Sequence, residues 1–172
     1  DSIVRGTTLK MSIIKMMDRL KPKSIVIVSS APQIRFPDCY GIDMAKMEGL
    51  VAFRAALELL RERNMWHVVD EVYQKCKNQV DLKDSEVVNF VTEIYAPFEA
   101  QEVSDKIAEM LGTPEVKAKI KIIFQTVENL HIACPKNLGD WYFTGDYPTP
   151  GGNRVVNRAF MNWYEGSDAR AY

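Results

Sequence analysis

The sequence has no surplus of charge of either sign. Its 22 lysines and arginines stand against 23 aspartates and glutamates, a net charge of -1 with an isoelectric point near 6.2. No basic field is left to attract nucleic acid, so no nucleic-acid partner is expected. No apolar run is long enough to cross a membrane, and no signal-peptide pattern opens the chain, so no membrane partner is expected either. Cysteine is scarce: Cys39, Cys76 and Cys134 are an odd number, widely spaced in 172 residues. That argues against a disulfide framework and reads as a reduced, cytoplasmic protein. His67, beside Trp66, has no acid or cysteine partner in the pattern and reads as a core or surface residue.

What is present is an ordinary globular balance, 47% hydrophobic and 26% charged, in a chain long enough for one domain with a core. The most informative stretch is the first: Asp1, Ser2, Ile3, Val4, Arg5, Gly6, Thr7, Thr8. Gly6 permits a tight turn and close approach of a ligand. Thr7 and Thr8 place two hydroxyls and unpaired N–H groups at a helix start, which suits an anion. A carboxylate at Asp1 suits sugar hydroxyls or a hard cation such as Mg²⁺. Together these point to a phosphorylated sugar. An ordinary helix cap with an acidic neighbour is the plainer reading of the same residues.

Behind the loop, Leu9, Ile13, Met16, Met17 and Leu20 recur at helical spacing, which predicts a helix over 7–20 ended by Lys21 and Pro22. Ser24 to Val28 reads as a buried parallel strand, so helix, turn and strand form half of a βαβ unit. Ligands of such sheets bind at the carboxyl ends of strands, so residues 29–38 are expected at the same site as the first loop. Helices are predicted over 44–63, around Val68 to Cys76, from Asp84 or Ser85 to Tyr95, and over 99–111 before Gly112. Residues 147–152 read as loop and 153–163 as a last helix, in an aromatic tail expected to dock on the body or on a neighbouring subunit. Residues 114–130 fit a helix by spacing and a strand by composition.

The opening octapeptide resembles the phosphoribosyl pyrophosphate (PRPP) loop of type I phosphoribosyltransferases, in the wording of the glutamine amidophosphoribosyltransferase family. Three further blocks follow in that family's order: Ser30, Ala31, Pro32; then Ile34, Arg35, Phe36, Pro37; then Tyr40, Gly41, Ile42, Asp43, Met44. Ile122 to Gln125 with Glu128, Asn129 and Leu130, and Phe143, Thr144 and Gly145, are similar to later family segments. The resemblance decides 114–130 as a strand at 120–124 and a helix at 126–133.

The resemblance implies an α/β, Rossmann-like parallel sheet, helix-rich, corresponding to the C-terminal part of a type I phosphoribosyltransferase with a helical insertion. Residues 1–48 would be the end of the core with its PRPP loop, 49–97 the insertion, 98–134 the return to the core and 135–172 the tail. The implied reaction is attack of glutamine-derived ammonia on C1 of PRPP, giving 5-phosphoribosylamine for purine synthesis. Asp1, Ser2, Arg5, Gly6, Thr7 and Thr8 would bind PRPP, with Asp1 also toward Mg²⁺. Arg35, Tyr40 and Asp43 are second-loop candidates. Arg35 otherwise reads as half of a surface ion pair, and Asp43 as a helix cap before Met44. Some members hold an iron–sulfur cluster, with one cysteine after the Phe-Pro pair and a C-x-x-C before Phe-Thr-Gly. Here Asp38 follows Pro37 and Cys134 stands alone, so no cluster is expected.

Partners implied are PRPP, the glutaminase domain of the same parent chain and further copies of the chain. Because the chain opens inside its own motif, it reads as a piece of a longer enzyme, inactive by itself and inclined to self-associate through the edge of the strand at 25–28. A salvage phosphoribosyltransferase and a PRPP-sensing module without catalysis are the alternatives.

Overall fold

Two β-branched runs meet as a parallel pair in the computed structural model, which describes residues 2–40, 44–137 and 139–172. β1 is Ser24–Ser29 and β2 is Lys119–Phe124, with Ile25 opposite Ile120 and Ile27 opposite Ile122. The segment expected as either helix or strand is therefore a strand. α6, Val127–Ala133, follows it, capped by Thr126, whose Oγ1 accepts the Asn129 N–H at 3.1 Å. The arrangement is α/β and helix-rich. The strand at 24–28 is parallel, as expected, but it is not buried throughout. Ile25 is 2% exposed while Val26 and Val28 are 51% and 71% exposed. α5, Ala100–Leu111, packs beside β2, and Val26, Val28 and Ile123 stay open to solvent.

The N-terminal helix is broken into pieces. α1 is one turn, Ser2–Arg5; a π-helical stretch, Leu9–Ile13, then runs into α2, Ile14–Asp18. The expected apolar stripe is correspondingly displaced. Leu9 and Ile14 are buried, whereas Ile13, Met16, Met17 and Leu20 are exposed. Residues bonded with an i→i+5 pattern shift the phase of everything after them, so the core-facing position moves from 13 to 14. The Asp18 carboxylate accepts the N–H groups of Lys117 and Ala118 at 3.1 and 2.9 Å, tying the helix end to the entry of β2. Lys21, at φ +54°, makes the turn before Pro22.

The middle of the chain supplies most of the core. α3, Val51–Glu62, buries Val51, Ala52, Phe53, Ala55, Ala56, Leu57, Leu59 and Leu60. α4, His67–Lys77, buries Val69, Val72, Tyr73 and Cys76 and leaves His67 exposed. Two expectations fail here. No helix starts at Met44: its φ is +57°, a single 3₁₀ turn covers Met47–Gly49, and α3 begins at Val51. A helix cap thus has nothing to cap at Asp43, which itself lies outside the described residues.

Residues 84–95 also form no α-helix, only 3₁₀ turns at Asp84–Glu86 and Phe90–Ile94. Between them the buried Gln79 side chain pairs with the Val88 backbone, accepting its N–H at 2.8 Å and donating to its carbonyl at 3.0 Å. That pairing holds Val88 away from helical bonding.

α7, Trp141–Thr144, and α8, Pro150–Tyr164, complete the chain. α8 begins three residues earlier than expected, because Pro150 is pre-set for a first helical turn. Gly152 lies so close to Tyr147 that a Cβ would come within 2.5 Å of the Tyr147 Cβ. Phe53, Phe160 and Trp163 pack ring against ring, with Phe53–Trp163 centroids 4.8 Å apart, so the aromatic tail docks on α3.

Candidate functional site

Gly6 marks the point where the chain leaves α1 and restarts as a helix. Its φ is +73°, and its carbonyl accepts the Lys10 N–H at 2.9 Å. Arg5, Thr7 and Thr8 around it are exposed, while Gly6 is buried. The absent side chain points inward: a Cβ would meet Leu111 Cδ2 at 3.0 Å and Val51 Cγ2 at 3.2 Å. The glycine is therefore required by protein packing from behind as well as by its backbone angle. The exposed Thr7 and Thr8 hydroxyls remain available to a ligand in front. Asp1 lies outside the described residues.

α3 and α5 build the support. Arg54 of α3 donates to the Arg5 carbonyl, and Lys10 Nζ donates to the Met110 carbonyl at 2.8 Å. Gly6, Thr7, Lys10, Arg54 and Lys106 share a cavity of about 410 Å³ with Glu58, Glu62 and Glu109. Its charge is balanced: Lys106 bonds to both Glu62 and Glu109, at 2.7 and 2.5 Å, and Glu58 pairs with Arg61. Arg54 Nε is buried with no hydrogen-bond partner among the described residues. Sequence reading missed Arg54, since it lies on an amphipathic helix with nothing in its own pattern to set it apart. On the other side, Arg5 lines a cavity of about 350 Å³ with Lys46, Glu48 and Tyr172, and Lys46 pairs with Asp168 at 2.6 Å. The tail thus closes beside the loop.

Of the second-loop candidates, Arg35 and Tyr40 line neither of these two cavities, and Asp43 lies outside the described residues. Residues 29–38 were expected beside the first loop, yet Gln33 fastens them to the start of α5, donating to the Ala100 carbonyl at 2.7 Å and to Ser104 Oγ at 2.8 Å. Gly6 instead faces Leu111, the last residue of α5. The two ends of this helix stand about 16 Å apart.

Among the described residues Arg35 is in no ion pair; its Nε and Nη2 donate to Gln33 Oε1 at 3.1 and 2.9 Å. Burial draws its guanidinium down from its ordinary value, with Tyr95 acting against that. Tyr40 is exposed and meets Trp141 edge-on at 6.3 Å. Asp38 is buried, and its carboxylate accepts the Tyr142 hydroxyl and the Tyr40 N–H, both at 3.1 Å. Burial, then Asp38, raise the Cys39 thiol above its ordinary value; burial pushes Cys76 up to about 12.

Residues 35–36 and 142–145, far apart in sequence, come together. The Arg35 and Phe36 N–H groups donate to the Tyr142 carbonyl at 2.8 and 3.1 Å. Gly145, at φ +83°, lets the Phe36 ring approach to where a Cβ would stand 2.9 Å away.

Among curated proteins, the chain is 44% identical over 62 residues to the amidophosphoribosyltransferase of Escherichia coli, 36% of this chain and 12% of that protein. It is 39% identical over 82 residues to that of Lachancea kluyveri, 45% of the chain and 16% of the relative. To that of Saccharomyces cerevisiae it is 30% identical over 132 residues, 71% of the chain and 25% of the relative. The chain thus spans about an eighth to a quarter of the length of these relatives. No family model matches it. No solved structure matches it either.

Proposed function

We propose, from the premise that this chain is related in sequence to the amidophosphoribosyltransferases, that it carries the PRPP-binding loop of such an enzyme's synthase half. The domain is read as the C-terminal part of a type I phosphoribosyltransferase. The observation that carries this reading is the geometry at Gly6: exposed Arg5, Thr7 and Thr8 around a glycine braced from behind by Val51 and Leu111. Arg5 and the two hydroxyls would receive the 5′-phosphate, and Asp1 the ribose hydroxyls. A transition state of oxocarbenium character calls mainly for positioning and charge stabilisation, which a rigid loop supplies. A carboxylate such as that of Asp1 would suit Mg²⁺ that arrives on the pyrophosphate and keeps most of its water, since that ion is commonly held by one or two carboxylates and substrate phosphates. Bound there, the ion would neutralise the leaving pyrophosphate.

Glutamine-derived ammonia would come from a glutaminase half of the same parent chain. The chain by itself is read as inactive and as part of a cytoplasmic homo-oligomer; among the described residues no helix is long and apolar enough to cross a membrane. The cysteines are read as free thiols that hold no iron–sulfur cluster.

Thr7→Ala, made in the parent enzyme, tests the loop. Loss of one charge-assisted hydrogen bond should weaken PRPP binding by about 1.5–3 kcal/mol. PRPP affinity equal to that of the parent would reject the assignment.

A further inference from the structure

Arg35 stands at a third cavity, toward the opposite end of α5 from Gly6 and apart from the two cavities beside the first loop. The cavity is about 430 Å³, a volume ordinary for small-molecule sites. Residues at its wall include Phe124 and Gln125 at the carboxyl end of β2 and Phe143 of the tail. That is where open parallel sheets place their ligands.

The guanidinium is fixed before any ligand arrives. Gln33, 4% exposed and itself held by α5, takes one N–H from Nε and one from Nη2. The Tyr95 ring centroid lies 5.3 Å from the Arg35 Cζ, and the Tyr95 hydroxyl donates to the Arg35 carbonyl at 2.6 Å. No carboxylate pairs with Arg35 among the described residues. A guanidinium has N–H donors to spare beyond those two. The ones left, on Nη1 and the outer side of Nη2, form the fork that receives an oxyanion through two parallel bonds. A guanidinium held along one edge by Gln33 and over one face by Tyr95, with its outer donors turned to the cavity, is what a carboxylate site needs.

The walls narrow the ligand further. Glu99 and Glu128 also line the cavity and repel a second negative charge. Phe124, Phe143 and Ile123 offer apolar surface to a flat body. We propose that this cavity binds a small organic monocarboxylate with an apolar or planar body, its carboxylate on the Arg35 fork. The site is separate from the PRPP loop and stands or falls independently of it.

Benzoate is the probe, titrated into the ¹⁵N-labelled 172-residue chain and followed by amide shifts. Saturable shifts are expected at Ala100, Gln101, Thr126 and Val127. Arg35→Met should weaken binding roughly tenfold or more, as loss of a charge-assisted pair requires. Gln101→Lys adds a cation at an exposed wall position and should tighten binding, an outcome that a folding defect cannot imitate. Phenyl phosphate, carrying more charge, should bind less tightly than benzoate. No saturable shift at these amides, an Arg35→Met chain with native-like shifts that binds benzoate as before, or a Gln101→Lys chain with no gain would each overturn the proposal.

Discussion

Replacing Gly6 by alanine should destabilise the fold by a predictable amount, even without any ligand. Two costs apply. The residue sits at φ +73°, and a side chain in the left-handed region costs about 1–2 kcal/mol. The new Cβ would also lie 3.0 Å from Leu111 Cδ2 and 3.2 Å from Val51 Cγ2, inside ordinary contact, and overpacking of a filled interior costs about 1–3 kcal/mol. Leu111 presents a side-chain end that can shift a little, so the lower half of the combined range applies, about 2–3 kcal/mol. Urea denaturation followed by circular dichroism measures it, with Gly49→Ala as the control. A Cβ on Gly49 meets nothing within 4 Å, so that variant should stay within about 0.5 kcal/mol of the parent. Placing Gly6→Ala on a Val51→Ala background separates the two costs. The steric part should shrink and the backbone part should persist, a coupling that a double-mutant cycle reads directly. If Gly6→Ala is as mild as Gly49→Ala, the glycine is not braced from behind, and the case for a rigid loop goes with it.

Three further changes test the surroundings. Arg54→Met removes the donor to the Arg5 carbonyl; it should lower stability by about 1 kcal/mol and speed hydrogen exchange at Gly6, Thr7 and Thr8. Asn89→Ala breaks two buried bonds, from the Val91 N–H and to the Gly145 carbonyl, each 3.0 Å long, and should cost about 2 kcal/mol in thermal unfolding. Glu102 is held below its ordinary value of 4.5, first by the Glu99 N–H and then by Arg63. A depressed carboxylate stabilises the fold above its unfolded value and loses that effect as pH falls through its folded value. The stability gap between the parent and Glu102→Gln should therefore be full at neutral pH and shrink as pH drops below 4.5; a gap that widens in acid would refute the pairing.

The sequence was most legible where one physical signal dominated. The stripes at 51–62 and 69–76 are helices because their apolar residues recur on one face and nothing competes. β2 was legible only through the resemblance, since Ile120, Ile122 and Ile123 satisfy either period. Helix over 84–95 was the wrong reading because the buried Gln79 side chain, nine residues before Val88, takes both of that residue's backbone groups. Local spacing carries no trace of that competitor. The stripe of Met16, Met17 and Leu20 misled for another reason: the π-helical residues before it change the phase, and a constant period cannot show a change of phase. Arg35 was legible as a residue of interest but not as to place, because Gln33 and Tyr95, both distant or inconspicuous partners, decide where it points.

The helical middle of the chain reads from sequence as packing alone, an addition to a phosphate-binding core. The structure gives it a second task. A phosphate loop binds well only if its amides cannot turn away from the ligand, and that rigidity must come from contacts on the side the ligand never touches. If the stretch at Gly6 is such a loop, as proposed above, those contacts come from Val51, on α3, and from Leu111, on α5, while Arg54, one turn along α3 from Val51, holds the Arg5 carbonyl. α3 is buried along one face and therefore cannot move without disturbing the core. Changes in α3 that leave the fold intact should consequently act on the loop at a distance. Val51→Ala, which touches no ligand, should loosen Gly6 and shift the Thr7 and Thr8 amide resonances, whereas a truncation of equal size at Val69, buried in α4, should leave them where they are.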